Sequence, residues 1–174
     1  GDILLERAIE ILPDETGGSL HDRLAQLAPA PLLEALDLLE NETASPISQN
    51  SAEATYAPKL HRESGRINWN EPAAVIERMI RAYNPWPGAF TELKNGSTGS
   101  RKLKIHKAAV VDQHGNPGEI QATDNHLVVA SGTQAISLIE VQLEGRKQMS
   151  IGDFVRGNRW IAQMKNISYS STET

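Results

Sequence analysis

Positively charged side chains at alternate positions of one predicted strand are the strongest candidates for chemistry in this chain. The sequence from Lys102 to His106 alternates basic and aliphatic residues. Because side chains alternate between the two faces of a strand, Lys102 and Lys104 share one face with His106. Such a row of cations can contact the phosphates of a nucleic acid. It is equally typical of a plain solvated surface, and both interpretations stay open.

More basic residues lie towards the C-terminus, as the pairs Arg146-Lys147 and Arg156/Arg159. Tryptophan rings, which could stack on bases, are not interleaved with these cations. They are scattered through the sequence as Trp69, Trp86 and Trp160. This spacing argues against a sequence-specific site for single-stranded nucleic acid.

Residue patterns for other kinds of chemistry are missing from the sequence. The chain has no cysteine, which excludes disulfides and thiolate ligands, and its five histidines lack metal-ligand spacing. His21 and Asp22 are adjacent in a predicted helix, so their side chains diverge. There is no glycine-rich phosphate loop, nucleophile elbow or paired-carboxylate motif. We therefore predict no catalytic, cofactor-binding or metal-binding residue in this chain.

The basic strand belongs to a series of short strands with the spacing of a small β-barrel or sandwich. Turn-forming residues such as Ser131-Gly132 separate the strands. A short helix over Ile151–Val155, capped by Ser150 and ended by Gly157, is predicted after them. The predicted strands are Ala89–Lys94, Lys102–Val111, Glu119–Thr123, His126–Ala130 and Gln134–Glu144.

A helix and a proline-rich corner precede the strands. The helix begins near Pro72, and its apolar stripe runs from Val75 to Tyr83. It ends at the corner Asn84-Pro-Trp-Pro-Gly88, where each proline forces the preceding residue into an extended conformation. The ring of Trp86 is thereby held in one orientation, and we expect it to fill the core.

The N-terminal residues have the pattern of a different domain. Residues 2–11 are predicted to form a buried strand, Thr16 to cap a first helix, and Pro31 to begin a second helix that ends near Glu40. One strand and two helices cannot enclose a core, so residues 1–41 are interpreted as the tail of a larger domain. The polar residues 42–55 are predicted to be a linker, 56–168 a compact domain and 169–174 a disordered tail.

Charge follows the same division. Residues 1–57 carry two basic and eleven acidic side chains, a net charge of −9, and residues 58–174 carry fifteen basic and eleven acidic ones, a net charge of +4. This asymmetry indicates a polyanionic partner for the C-terminal part. No signal peptide or long apolar run is present, which predicts a soluble, cytoplasmic protein. Because the chain begins at Gly1-Asp2 without a methionine, we expect it to be a fragment.

Three sequence features together resemble the C-terminal half of methionyl-tRNA formyltransferases. They are the segments Tyr56-Ala-Pro-Lys-Leu60 and Ile67-Asn-Trp69 and the Asn84–Gly88 corner. The likeness runs from Gly1 to about Ile161. The corner is shared with formyltransferases that act on amino sugars, whereas Tyr-Ala-Pro-Lys-Leu is more particular to the tRNA enzymes.

The resemblance implies an α+β, mainly β, fold. It comprises a small barrel of the oligonucleotide-binding (OB) type with one preceding helix, together with a strand–helix remnant of a Rossmann-like formyltransferase domain. It implies a parent enzyme that transfers a formyl group from 10-formyltetrahydrofolate to the amino group of methionyl initiator tRNA. Gly1 matches the glycine of the family's Asp-x-Gly motif, so the catalytic Asn, His and Asp would precede this chain. The chain alone is therefore expected to be inactive.

The resemblance also implies which residues bind tRNA. The expected contacts are Lys59, Arg62, Lys102, Lys104, Arg146, Lys147 and Arg159. The expected partner is initiator methionyl-tRNA, with no membrane association, and the protein is expected to be monomeric. Two alternatives are a formyltransferase for a small amine such as an amino sugar, and a structural barrel module without nucleic-acid binding.

Overall fold

The computed structural model describes residues 1–94 and 99–167. The chain divides into two compact units, Gly1–Lys59 and Leu60–Thr174. They are called the N-terminal unit and the C-terminal unit below. The predicted tail at 169–174 lies outside the described residues.

The N-terminal unit contains two helices, α1 (Gly17–Leu27) and α2 (Pro29–Glu40). The Thr16 hydroxyl accepts a hydrogen bond from the Ser19 amide (3.2 Å), which confirms the predicted cap. Neither helix has a buried residue. The predicted buried strand at 2–11 is wrong, since this segment makes a single bridge between Ile3 and Ile47. A strand needs a continuous hydrogen-bonding neighbour, and the described N-terminal unit supplies none for this segment.

The C-terminal unit is built on an antiparallel sheet ordered β1-β2-β5-β4-β3, with a short β6 paired to β5. All five predicted strands are present, with ends that differ from the prediction by at most two residues. The strands are β1 (Ala89–Lys94), β2 (Ser100–Val111), β3 (Ile120–Ala122), β4 (Leu127–Ala130), β5 (Ala135–Leu143) and β6 (Met149–Ser150).

Short segments of chain cover both edges of this sheet. The Ile67 amide donates to the Phe90 carbonyl (2.9 Å) beside β1, and the Ile120 amide donates to the Lys165 carbonyl (2.9 Å) beside β3. Within residues 1–94 and 99–167, no strand pairing joins β1 to β3 and closes a barrel. The unit is thus a mainly β structure with few helices, and the OB-type barrel stays a prediction.

The core lies between the inner face of the sheet and two helices. α3 (Ala73–Ala82) packs on β2 and β5, and its Ile76 and Ile80 are buried, as the apolar stripe predicts. α4 (Ile151–Gly157) is capped by the Ser150 hydroxyl, which accepts from the Asp153 amide (3.2 Å). Each buried aliphatic side chain contributes about 1.5–3 kcal/mol relative to an exposed one.

The proline-rich corner differs from its prediction. Trp86 is 57% exposed, and Pro87 is the buried residue of the corner. The tryptophan in the core is Trp69, which is 2% exposed and donates its indole N–H to the Thr91 hydroxyl (3.1 Å). The expectation that Trp86 fills the core is therefore wrong. The ring points outward because the chain turns so that Pro87 and Ala89 face inward.

Candidate nucleic-acid interface

The candidate interface is the outer face of β1 and β2. Leu103 (0% exposed) and Ile105 (2% exposed) point into the core, as the alternation predicts, and Lys104 between them is exposed. The antiparallel register pairs Lys104 with Phe90 and Lys102 with Glu92. One aromatic, one acidic and two basic side chains therefore share this face.

Two cations cover the ring of Phe90. Lys102 Nζ lies 4.4 Å and Arg66 Cζ 5.2 Å from the centroid of the ring. Both distances are within the range of cation–π interactions. Phe90 is only 4% exposed although it is on the outer face, so the methylene groups and charges of its neighbours shield it from water.

Carboxylates hold these same two cations. Lys102 Nζ donates to Glu63 Oε1 (2.7 Å), and Arg66 Nη2 donates to Glu63 Oε2 (3.1 Å) and Glu92 Oε1 (2.9 Å). The hydrogen bond from Lys102, followed by that from Arg66, holds the pKa of the Glu63 carboxyl below its ordinary value. The hydrogen bond from Arg66 likewise lowers the pKa of Glu92. Lys102 and Arg66 are thus charge-balanced within the protein.

A second part of the face has free cations. Arg62, Trp86 and Lys104 line an open depression of about 400 Å³. Arg62 and Lys104 are exposed and form no ion pair with any described residue. The stem of Lys104 lies beside Gly88, since a Cβ atom built on Gly88 would be 3.8 Å from Lys104 Cδ. The depression thus places two cations without a described ion-pair partner next to an exposed ring, and the Glu144 carboxylate is also part of its lining.

Close backbone contact fixes the corner against the 3₁₀ helix Arg62–Gly65. A Cβ atom built on Gly65 would lie 2.0 Å from the carbonyl oxygen of Gly88, so only glycine fits at position 65. The Gly88 amide donates to the Tyr83 carbonyl (2.9 Å). These contacts place Arg62 and Trp86 on the same side of the unit.

The turn after β5 lies beside this face. Arg101 Nη2 donates to the Glu144 carbonyl (2.8 Å), and Gln142 Nε2 donates to the Arg146 carbonyl (2.9 Å). Gly145 has φ +75°, a conformation that glycine adopts most readily. The side chains of Arg146 and Lys147 are exposed on the turn.

Comparison with known proteins gives the family. Residues 59–159 match the formyl transferase C-terminal domain. The chain belongs to this family. It is 41% identical over 164 residues to the methionyl-tRNA formyltransferase of Marinobacter nauticus (92% of this chain, 51% of that protein). It is 43% identical over 162 residues to that of Syntrophus aciditrophicus (91% and 50%). The chain spans about half the length of the curated relatives it matches.

Solved structures support the fold. HypX from Aquifex aeolicus in complex with tetrahydrofolic acid superposes with a TM-score of 0.60 and 19% identity. The match covers 89% of this chain and 27% of HypX. At this identity the likeness concerns the fold alone.

The formyl transferase C-terminal domain brings some predicted contacts together and separates others. Arg62, Lys102 and Lys104 line one depression. Arg159 lines a different depression with Asn125 and Arg156. Lys59 is exposed at the end of the N-terminal unit. The contacts within the protein do not show which of these residues bind tRNA, so all seven predicted contacts stay a prediction.

The site also contains an arginine and two aromatic residues that were not among the predicted contacts: Arg66, Trp86 and Phe90. Phe90 could have been found, because alternation from Ala89 puts it on the face opposite to the core. The positions of Trp86 and Arg66 in the site depend on how the proline-rich corner packs against the 3₁₀ helix. No local sequence pattern predicts that packing.

No helix in the described ranges is long and apolar enough to cross a membrane. Among those same residues, no group of three or more histidine or acidic side chains is arranged to hold a metal ion.

Proposed function

We propose that the C-terminal unit docks tRNA for a methionyl-tRNA formyltransferase. The longer protein would transfer a formyl group from 10-formyltetrahydrofolate to the amino group of methionyl initiator tRNA. The observation that carries the docking role is the pair of free cations, Arg62 and Lys104, in one depression. The identity of about 40% to methionyl-tRNA formyltransferases over about nine-tenths of the chain supports the choice of substrate.

Some of the basic residues have ion-pair partners among the described residues and others have none. Lys102 and Arg66 already have carboxylate partners, so their charges contribute little to the attraction of a phosphate. Arg62 and Lys104 have none among the described residues, and the exposed Arg146 and Lys147 lie on the neighbouring turn. We assign the main phosphate contacts to these four residues. Lys59 and Arg159 are proposed as additional contacts on the strength of the family resemblance.

The test is the salt dependence of binding between the 174-residue chain and initiator tRNA. Three or four neutralised phosphates correspond to a slope of log K against log salt of roughly −2 to −4. The double variant Arg62→Ala/Lys104→Ala should flatten that slope by about one to two units, because fewer counterions are released. Arg78→Ala, which removes an exposed arginine from α3, is the matched control and should leave the slope unchanged.

Two results would count against this function. An unaltered salt slope in the double variant would mean that Arg62 and Lys104 do not contact tRNA phosphates. Absence of any salt-dependent tRNA binding would favour a small amine substrate, such as an amino sugar, or a purely structural role for the sheet.

Catalysis is assigned to the longer protein rather than to this chain. We expect no residue of this sequence to act as the catalytic Asn, His or Asp that the family resemblance implies. Acid–base work on the attacking amine needs such positioned titratable groups. We expect the purified 174-residue chain to produce no formyl-methionyl-tRNA above a protein-free control, and product above that control would contradict this assignment.

A further inference from the structure

Trp86 is a large aromatic side chain without a place in the core. It is 57% exposed, and its indole N–H donates to no described residue. By contrast, Trp69 is 2% exposed and hydrogen-bonded. More than half of the Trp86 surface is therefore open to solvent at the lining of the depression. Its position in a lined depression indicates a ligand surface.

The backbone that carries Trp86 is well fixed. Prolines stand on both sides of it, and the Asn84 side-chain amide donates to the His106 carbonyl (3.2 Å) on β2. The tight approach between Gly65 and Gly88 holds the end of the corner. A fixed aromatic platform loses little conformational entropy when a flat ligand stacks on it.

The charges around the ring favour an anionic ligand. Arg62 and Lys104 line the same depression and are free of ion pairs within the described chain. One carboxylate, Glu144, also lines it, and this group accepts a hydrogen bond from the Lys102 amide (3.3 Å). A phosphate would therefore be attracted by Arg62 and Lys104 and repelled by Glu144.

We propose that Trp86, Arg62 and Lys104 form a subsite for one unpaired nucleotide of the bound RNA. The base stacks on the indole, and its phosphate contacts the two cations. The nucleotide must be unpaired, because a base within a duplex has both faces covered by its neighbours and is held by its pairing partner. Stacking is tolerant of base identity, so the subsite does not select a sequence. This inference rests on the proposed tRNA-docking function and adds a single-strand contact to it.

The experiment compares three RNA hairpins that share one stem, which a flexible non-nucleotide linker closes in place of a loop of bases. The first has a blunt end, the second a four-nucleotide 3′ overhang, and the third the same overhang with abasic sugars. Binding to the 174-residue chain is measured at one fixed salt concentration. We expect the overhang to raise the affinity and quench tryptophan fluorescence. Trp86→Ala should weaken binding of the overhang RNA by about 5- to 150-fold and leave the blunt RNA nearly unchanged.

The abasic hairpin separates stacking from charge. It keeps the phosphates, so its binding should depend on Lys104 but not on Trp86. Trp86→Phe should retain part of the affinity for the normal overhang, since phenylalanine also stacks. Trp160→Phe is the control, because Trp160 is half-buried and hydrogen-bonded to Asn158 (3.3 Å).

The outcomes distinguish the subsite from the function on which it rests. If Trp86→Ala weakens binding of all three hairpins equally, or of none, while the salt slope persists, the subsite is overturned and the docking function survives. If the chain binds none of the hairpins and no tRNA, both fail. An unchanged unfolding midpoint of Trp86→Ala and Trp86→Phe would attribute any loss of affinity to binding rather than to stability.

Discussion

Phe90 and Trp86 are four residues apart on the same outer surface, and they have opposite environments. Phe90 is covered by Lys102 and Arg66, whose charges are in turn balanced by carboxylates. Trp86 is open to solvent beside cations that have no such partner in the described chain. The cations beside Phe90 form ion pairs with carboxylates. The cations beside Trp86 form none with any described residue. The basic surface therefore contains cations that are paired within the fold and others that have no ion-pair partner among the described residues.

The largest expected difference is in stability. Phe90→Ala should destabilise the C-terminal unit by about 3–5 kcal/mol, because the ring is almost fully buried. Trp86→Ala should cost less than about 1 kcal/mol, since the ring is exposed. Urea unfolding followed by tryptophan fluorescence measures both, as all three tryptophans lie in this unit. An equal loss of unfolding free energy in the two variants would contradict the difference in burial between Phe90 and Trp86.

The next largest effect on stability is expected at the close contact between Gly65 and Gly88, which lies between Trp86 and Phe90 in the sequence. Gly65→Ala should destabilise the same unit by about 1–3 kcal/mol, because its methyl group would overlap the Gly88 carbonyl. Gly157→Ala is the control, since a Cβ atom there meets no atom within 4 Å. The variant should also weaken RNA binding, because Arg62 would move relative to Trp86. A Gly65→Ala protein as stable as Gly157→Ala would contradict the described packing.

Lys102 and Lys104 give the most direct test of the distinction between paired and free cations. Lys102→Ala should lower the free energy of unfolding slightly, by up to about 1 kcal/mol, and hardly change the salt slope of RNA binding. Lys104→Ala should leave stability unchanged and flatten the slope by about one unit. Reversed results for the two lysines would mean that the ion pair with Glu63 opens when RNA binds.

Local sequence patterns predict most of the sheet but not the site. The strand ends, the burial of Leu103 and Ile105 and the caps Thr16 and Ser150 follow from alternation and capping, which act over a few residues. The strand expected at 2–11 is absent because, among the described residues, only Ile47 pairs with this segment, and strand pairing is a long-range property. The site depends on long-range packing in the same way, since the approach of residues 62–66 to the corner decides which aromatic is covered.

The smallest expected effect is a pH dependence confined to the Phe90 region. Hydrogen bonding from Arg66 lowers the folded-state pKa of Glu92 below 4.5, so this pair stabilises the fold above about pH 4.5 and is lost as pH falls through the folded pKa. Glu92→Gln should therefore be less stable than the original protein at pH 7, by under about 1 kcal/mol, and this difference should shrink as the pH falls below about 4.5. Asp124→Asn, at an exposed position without an ion pair in the described chain, should show no such trend in urea unfolding. A Glu92→Gln deficit that persists unchanged to pH 3 would mean that side-chain shape, rather than charge, holds Arg66 over the ring.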